Sequence, residues 1–171
     1  GAPMLLLHAQ ACFFYISVAK CSLSGKKGGT VMLVLVVDGM GGGIGAQLVS
    51  QLSGQVAAGV EVVCVGANAW ATQAMVKAGA SRGATGENAL KVMARSADII
   101  SGPIGIVIPN ALMGEITPAM AEAVAASAAR KVLVPVNQGH FEIVGMENRP
   151  LVANIRDASA RIVEIIAGMK G

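Results

Sequence analysis

A chain of 171 residues has room for one domain with a substantial core, and too little for a dinucleotide domain plus a separate substrate domain. With 54% hydrophobic residues, 22 glycines and only 3% aromatics, its composition suits helices packed closely on a sheet and is too mixed for a membrane bundle. The net charge of +3 comes from Lys20, Lys26 and Lys27, and from Met32 onward bases and acids balance; without a basic run or aromatics to stack bases, a nucleic-acid surface is excluded.

Residues 1–31 differ in character from the rest of the chain. An apolar stretch from Met4 to Ala19, interrupted by His8 and Gln10, leads into the polar SLSGKKGGT. It is short for a membrane span, and its lysines come after the apolar stretch, where a secretory signal carries them in front. Lys27-Gly28-Gly29 is what a bacterial ribosome-binding sequence encodes when read in frame, and Met32 lies just beyond. The expectation is therefore that translation starts at Met32, that residues 1–31 are a leader outside the fold, and that residues 32–171 form the domain. Cys12 and Cys21 fall in that leader, which leaves Cys64 alone in an apolar run, a cytosolic pattern with neither a disulfide frame nor a metal site.

From Met32 the elements alternate. Leu33 to Val37 lack polar alternation, as in a strand buried on both faces of a parallel sheet. A glycine-rich turn comes next, and Ile44, Leu48, Val49 and Leu52 make the stripe of a helix over Ile44–Leu52. Val60–Val65 reads as strand two, ended by Gly66-Ala67-Asn68, and Ala69–Ala78 as a helix closed by Gly79. Ala80–Arg82 reads as a very short third strand. Thr85 is placed to cap a helix over Glu87–Ala97, with Glu87 in the first turn favouring its dipole. Asp98–Ser101 reads as a strand ending at Gly102-Pro103. Ile104–Met113 is apolar and uncharged, broken by Gly105 and Pro109, and reads as a lid over a ligand or a subunit contact. Thr117-Pro118 starts a helix to Ala129. Val132–Val136 is a strand whose Pro135 suits an edge, Phe141–Met146 reads as a further short strand, and Leu151–Met169 as a long amphipathic helix.

This alternation is the signature of an α/β fold: a single-domain, Rossmann-like three-layer sandwich on a mostly parallel sheet, with strand order 3-2-1-4-5. In such sheets ligands lie outside the carboxyl ends of the strands, where the order reverses. The ends are Asp38 to Gly45, Gly66 to Asn68, Gly102 to Gly105 and Asn137 to Gly139.

Gly39, Gly41, Gly42, Gly43 and Gly45 dominate the first of these. Gly39-x-x-x-Gly43-Ile44-Gly45 resembles the cofactor fingerprint of the short-chain dehydrogenases, and Gly41-x-Gly43-x-x-Ala46 fits the general dinucleotide fingerprint, each after a strand and before a helix. Two features count against a redox enzyme. The Tyr-x-x-x-Lys pair of those dehydrogenases is absent, the one tyrosine being Tyr15, and strand two ends in Asn68 where an acid would hold the adenosine ribose. Asp38 either works through a bridging Mg²⁺ or ligand hydroxyls, or accepts hydrogen bonds from the turn's own N–H groups. Glu87-Asn88 and Glu115 lie near helix starts at the same end of the sheet, Glu115 being the only charge between Asp98 and Glu122. His140 has no second histidine after the leader with which to build a metal cluster or a triad.

Taken together, DGMGGGIG, GANAWAT, AGASRGATGENA, ADIISGPIGIVIPNALMGEITPAMAEA and KVLVPVN resemble a family of short bacterial proteins that is a domain of unknown function, from Met32 to about Gly145. The resemblance implies a Rossmann-like fold and a small stand-alone bacterial protein, and carries over no activity. Where that family tends to have a cysteine after the Pro-x-Asn of its last core strand, this chain has Gln138-Gly139-His140, so no chemistry is placed there.

These features together read as a cytoplasmic homo-oligomer that binds a nucleotide or other phosphate-bearing small molecule, NAD(P) among the candidates, as a sensor or carrier. The binding residues would be Asp38, Gly39, Met40, Gly41, Gly42, Gly43, Ile44, Gly45, Asn68, Gly102, Pro103, Ile104 and Asn137. Two alternatives stand beside it: a small nucleotide-dependent enzyme using Asp38 or Glu115, and a structural homo-oligomer with no ligand. No metal site, nucleic-acid partner or membrane partner is expected.

Overall fold

A computed structural model describes residues 31–136, 141–147 and 149–169. Its five-stranded sheet has the order β3-β2-β1-β4-β5 and every neighbouring pair is parallel. The strands are β1 (Met32–Asp38), β2 (Val60–Gly66), β3 (Gly83–Thr85), β4 (Ile99–Pro103) and β5 (Arg130–Val134). The helices are α1 (Gly43–Ser53), α2 (Ala69–Lys77), α3 (Glu87–Ser96), α4 (Pro118–Ala126) and α5 (Leu151–Met169), with a short 3-10 helix over Ile104–Val107.

β1 is central and its side chains alternate between two cores. Val34 and Val36 join Leu48, Leu52, Met75, Ile155 and Ile162 under α1, α2 and α5. Leu33, Leu35 and Val37 join Leu90, Ile106, Met120 and Val124 under α3, α4 and the 3-10 helix. That alternation explains the unbroken apolar run: with helices on both faces, neither side of the strand meets water. Cys64 of β2 is buried in the first of these cores, where burial pushes its thiol up to about 11. The α/β architecture and the strand order are as the sequence leads one to expect, the reversal of order falling between β1 and β4.

Five local expectations are corrected. β3 lies at Gly83–Thr85 and not at Ala80–Arg82, because its place is set by pairing with the end of β2, Cys64 to Gly66, rather than by apolarity. Thr85 does not cap the helix after it; its hydroxyl bonds that of Thr72 (2.7 Å), and Gly86 takes the N-cap position. β5 starts two residues earlier than the apolar run, with Arg130 and Lys131 paired to Ile99 and Ile100, and ends before Pro135, which has no N–H for a ladder. Charged residues suit it, since it is an edge strand of this sheet. Phe141–Met146 form no strand; the Met146 N–H closes a turn on the Ile143 carbonyl, and these residues are exposed. α4 stops at Ala126, where Ser127 donates its hydroxyl to the Ala94 carbonyl and draws the chain toward β5.

Candidate functional site

β1 delivers Asp38 to the end of the sheet, where it is 4% exposed. Its carboxylate accepts the N–H groups of Gly39 (2.8 Å) and Gly45 (2.7 Å). Asp38 thus closes the start of α1 from within, where the first amides of a helix lack intrahelical partners and attract negative charge. Burial pushes its carboxyl above the ordinary range against the pull of the Gly45, Gly39 and Ile44 amides, and the charge of Glu115 pushes the same way as burial.

The glycines of the turn are not equivalent. Gly42 sits at φ 69°, and a Cβ there would meet the Ala71 Cα at 2.7 Å, so both conformation and the approach of α2 require glycine. A Cβ on Gly45 would meet the Met75 sulfur at 2.5 Å. Neither reason holds for Gly41 and Gly43, where a Cβ would meet nothing within 4 Å. Both are exposed, and their N–H groups have no acceptor among the described residues.

The structure brings Glu115 and Asn68 to the same corner. After the 3-10 helix the chain crosses from β4 over the end of β1 to the end of β2. There the Glu115 carboxylate accepts the Met40 N–H (2.5 Å) through Oε2 and the Asn68 side-chain amide (2.7 Å) through Oε1. Asn68 also donates to the Met40 carbonyl (3.0 Å), and its Oδ1 accepts the Ala71 N–H (2.8 Å) as the N-cap of α2. A Cβ on Gly39 would meet Glu115 Oε2 at 2.5 Å and Leu112 Cδ1 at 3.0 Å, so the segment rests directly on the turn. Its inner residues Ile106 and Ile116 are fully buried, while Met113 at its tip is 91% exposed.

Among the described residues the non-glycine positions with positive φ are Met40 (49°), Asn110 (62°), Leu112 (54°) and Met113 (58°). All four lie in the two segments that Glu115 joins. Such conformations cost on the order of 1–3 kcal/mol each and collect where a binding geometry is held in place.

Three further expected positions lie at and just past the end of β4. Gly102, at the end of β4, is packed against the Val37 carbonyl and Ile106; Pro103 is buried and Ile104 half-buried beside it. Asn137 and His140 lie outside the described residues. Among the described residues no three His, Cys, Asp or Glu side chains come together to hold a metal ion. No described helix is long and apolar enough to cross a membrane.

Glu87 serves a joint between helices. Thr117 caps α4 by accepting the Met120 N–H (3.1 Å) and donates its hydroxyl to Glu87 Oε2 (2.6 Å), tying the starts of α3 and α4 together. That hydrogen bond holds the Glu87 carboxyl below the ordinary range, with help from Lys91 at 3.6 Å. A folded-state pKa below the unfolded one contributes stability above the unfolded pKa that is lost as pH falls through the folded value. The stability advantage over Glu87→Gln is therefore expected to shrink from about pH 6 to about pH 3, below the ordinary glutamate range near 4.3. Urea unfolding of both proteins across that range checks it; a gap that stays constant would mean that the bond does not favour the ionised form.

What the sequence does not reveal is the meeting of Glu115 with Asn68 across 47 residues, or that Trp70, in the first turn of α2 that Asn68 caps, stands 73% exposed. A signal for Trp70 was available: it is the chain's single tryptophan and lies just past the end of β2.

Among solved structures, two align with parts of this chain. A dodecameric FMN-dependent UbiX-like decarboxylase from Escherichia coli O157:H7 aligns at 18% identity over 75% of each chain, with a TM-score of 0.40. An FtsZ mutant from M. jannaschii aligns at 14% identity over 95% of this chain and 60% of its own, with a TM-score of 0.41. At these scores neither bears on what this chain binds. No curated protein matches it. The DUF3842 family profile matches residues 33–167, from the first residues of β1 into the last turn of α5, and the chain belongs to that family, a domain of unknown function.

Proposed function

We propose that this protein is a cytosolic sensor or carrier that binds a nucleotide or other phosphate-bearing small molecule on the outer edge of the Gly39–Gly45 turn. The observation that carries the reading is the pair Gly41 and Gly43: exposed glycines, with N–H groups that have no acceptor among the described residues, that neither packing nor left-handed backbone requires. Bare amides at a helix start are suited to a phosphate oxygen, and a side chain would crowd the approach. Asp38 serves the inner face of the same turn and leaves this outer edge open.

Glu115 supports the nucleotide form of the reading. In dinucleotide-binding folds an acid at the end of the second strand holds the ribose hydroxyls. Here Asn68 stands just past β2, and Glu115, arriving from the segment after β4, places a half-buried carboxylate beside it. This supports a reading in which the carboxylate for ribose hydroxyls comes from elsewhere in the chain. NAD(P) belongs among the candidate ligands on this ground, and Mg²⁺ belongs in the test because it commonly accompanies nucleotide phosphates.

A thermal-shift screen against NAD, NADP, ATP, GTP, flavins and S-adenosylmethionine, with and without Mg²⁺, tests the proposal. A ligand at about a hundred times its dissociation constant adds roughly 2.7 kcal/mol, a shift of several degrees. Gly43→Leu, whose side chain starts in open space, is expected to leave the unliganded melting temperature within about 2 °C and to abolish the shift. A flat screen, or a shift undiminished in Gly43→Leu, would defeat the proposal.

The same reading has the protein act as a homo-oligomer. Phe141, Ile143, Val144, Met146, Leu151 and Val152 are all exposed around the start of α5, an apolar cluster of the kind that marks contact surfaces. Val144, 99% exposed, makes no packing contribution of its own to lose. Val144→Asp is expected to lower the subunit number in sedimentation equilibrium without unfolding the chain; a wild-type protein that sediments as a monomer would remove the oligomer from the reading.

A further inference from the structure

Trp70 is the chain's single tryptophan, and it stands 73% exposed although a core of aliphatic side chains lies under the same helix. Its place is fixed from both sides. Asn68, two residues before it, bonds Met40 and Glu115, and Ala71, the next residue, lies against Gly42 so closely that a Cβ there would meet its Cα at 2.7 Å. The first turn of α2 is thereby locked to the glycine turn, and it carries Trp70 with most of its surface in water. Met40, 49% exposed, belongs to the glycine turn itself and is held at φ 49°. Its carbonyl and N–H are both engaged, by Asn68 and Glu115, so the backbone that aims it is braced while its side chain remains in water.

Indole faces stack planar heterocycles with little regard to which base they meet, and methionine adapts its shape and makes favourable contacts with rings. A small-molecule site combines such apolar surfaces with a few placed polar groups, and Glu115, Asn68 and the Gly41 and Gly43 amides are those groups here. We propose that Trp70, flanked by Met40, is the stacking platform for the heterocycle of the ligand, so that the site selects nucleotides over sugar phosphates and inorganic phosphate. This rests on the phosphate site proposed above and adds the ring end of the same ligand.

The lone tryptophan makes the test direct. AMP, GMP, UMP and NAD, with ribose 5-phosphate as the probe that lacks a ring, are titrated into the full chain while tryptophan emission is monitored, and affinities are measured independently by calorimetry. At least one nucleotide is expected to change Trp70 emission and to bind about tenfold or more tighter than ribose 5-phosphate, the range that loss of one base–aromatic stack covers. Trp70→Ala should erase that gap, Trp70→Phe should keep most of it, and neither exposed-site variant should lower the melting temperature. Trp70→Ala binding the nucleotide as wild type does, or ribose 5-phosphate binding as tightly as the nucleotide, overturns the platform and leaves the phosphate site standing. A Trp70→Ala protein with altered subunit number and unaltered nucleotide affinity assigns the indole to a subunit contact and also overturns it. Binding of no probe, or binding undiminished in Gly43→Leu, fails the phosphate site itself and the platform with it.

Discussion

Asp38→Ala is expected to lower the stability of the fold by about 3 kcal/mol, a fall of roughly 10 °C in melting temperature for a domain of this size. The carboxylate is 4% exposed and accepts the amides of Gly39 and Gly45 at 2.8 and 2.7 Å. Alanine would leave these buried donors without an acceptor, at about 1–3 kcal/mol for each unsatisfied group, with partial recovery as water reaches the turn. Loss of a helix cap alone costs about 1 kcal/mol. Asp38→Asn keeps one acceptor oxygen and turns an NH₂ group toward the other amides, so it is expected to fall nearer to alanine than to wild type. Urea unfolding monitored by circular dichroism measures both. A loss under about 1 kcal/mol for Asp38→Ala would show that the turn does not depend on this carboxylate, and would return Asp38 to the groups available to a ligand.

Gly102→Ala is the second large effect, at about 3 kcal/mol or more. Gly102 comes directly after Ser101, which pairs with Val36, so it stands beside the end of β1 at the point where the strand order reverses. A Cβ there would drive into the Val37 carbonyl oxygen, with Ile106 Cδ1 at 3.2 Å. A carbonyl in the central strand cannot rotate away without loss of the β1 ladder, so the two strands must part. Overpacking of a well-ordered core costs about 1–3 kcal/mol where side chains can yield, and here the obstacle is backbone. Gly41→Ala is the control: its Cβ would meet nothing within 4 Å, and a change within about 0.5 kcal/mol is expected. If the two variants proved equally stable, the close approach of β1 and β4 would be wrong. The contrast separates glycines that the sheet needs from glycines that only a ligand would need.

Those two cases mark how far the sequence could be read. Five glycines between residues 39 and 45 look alike as letters, yet Gly42 answers to a positive φ and to Ala71, Gly45 to Met75, Gly39 to Glu115, while Gly41 and Gly43 answer to nothing within the fold. Likewise Gly102, an expected ligand contact from its place at a strand end, has a packing reason in Val37. Local pattern locates a turn; only the neighbours brought by other elements say what each residue in it is for.

The elements that one strand or helix can specify by itself were legible: the apolar runs of β1, β2 and β4, the stripe of α1, the Thr117-Pro118 start of α4 and the full extent of α5. Their alternation carried the architecture, because buried parallel strands separated by amphipathic helices have few other ways to hide both faces of a sheet. The strands with the most displaced bounds, β3 and β5, are the sheet edges, where the ladder with a neighbour sets the bounds and half-exposed residues carry no apolar signal. The candidate site divides in the same way. The glycine turn and Asp38 are adjacent in the chain and could be read from it, since a strand, a tight turn and a helix start are local structure. The joining of Glu115 to Met40 and Asn68, and with it the bracing of the helix turn that carries Trp70, depends on how the segment after β4 crosses the sheet. A contact across 47 or 75 residues leaves no periodicity behind, and so it was decided by the tertiary structure alone.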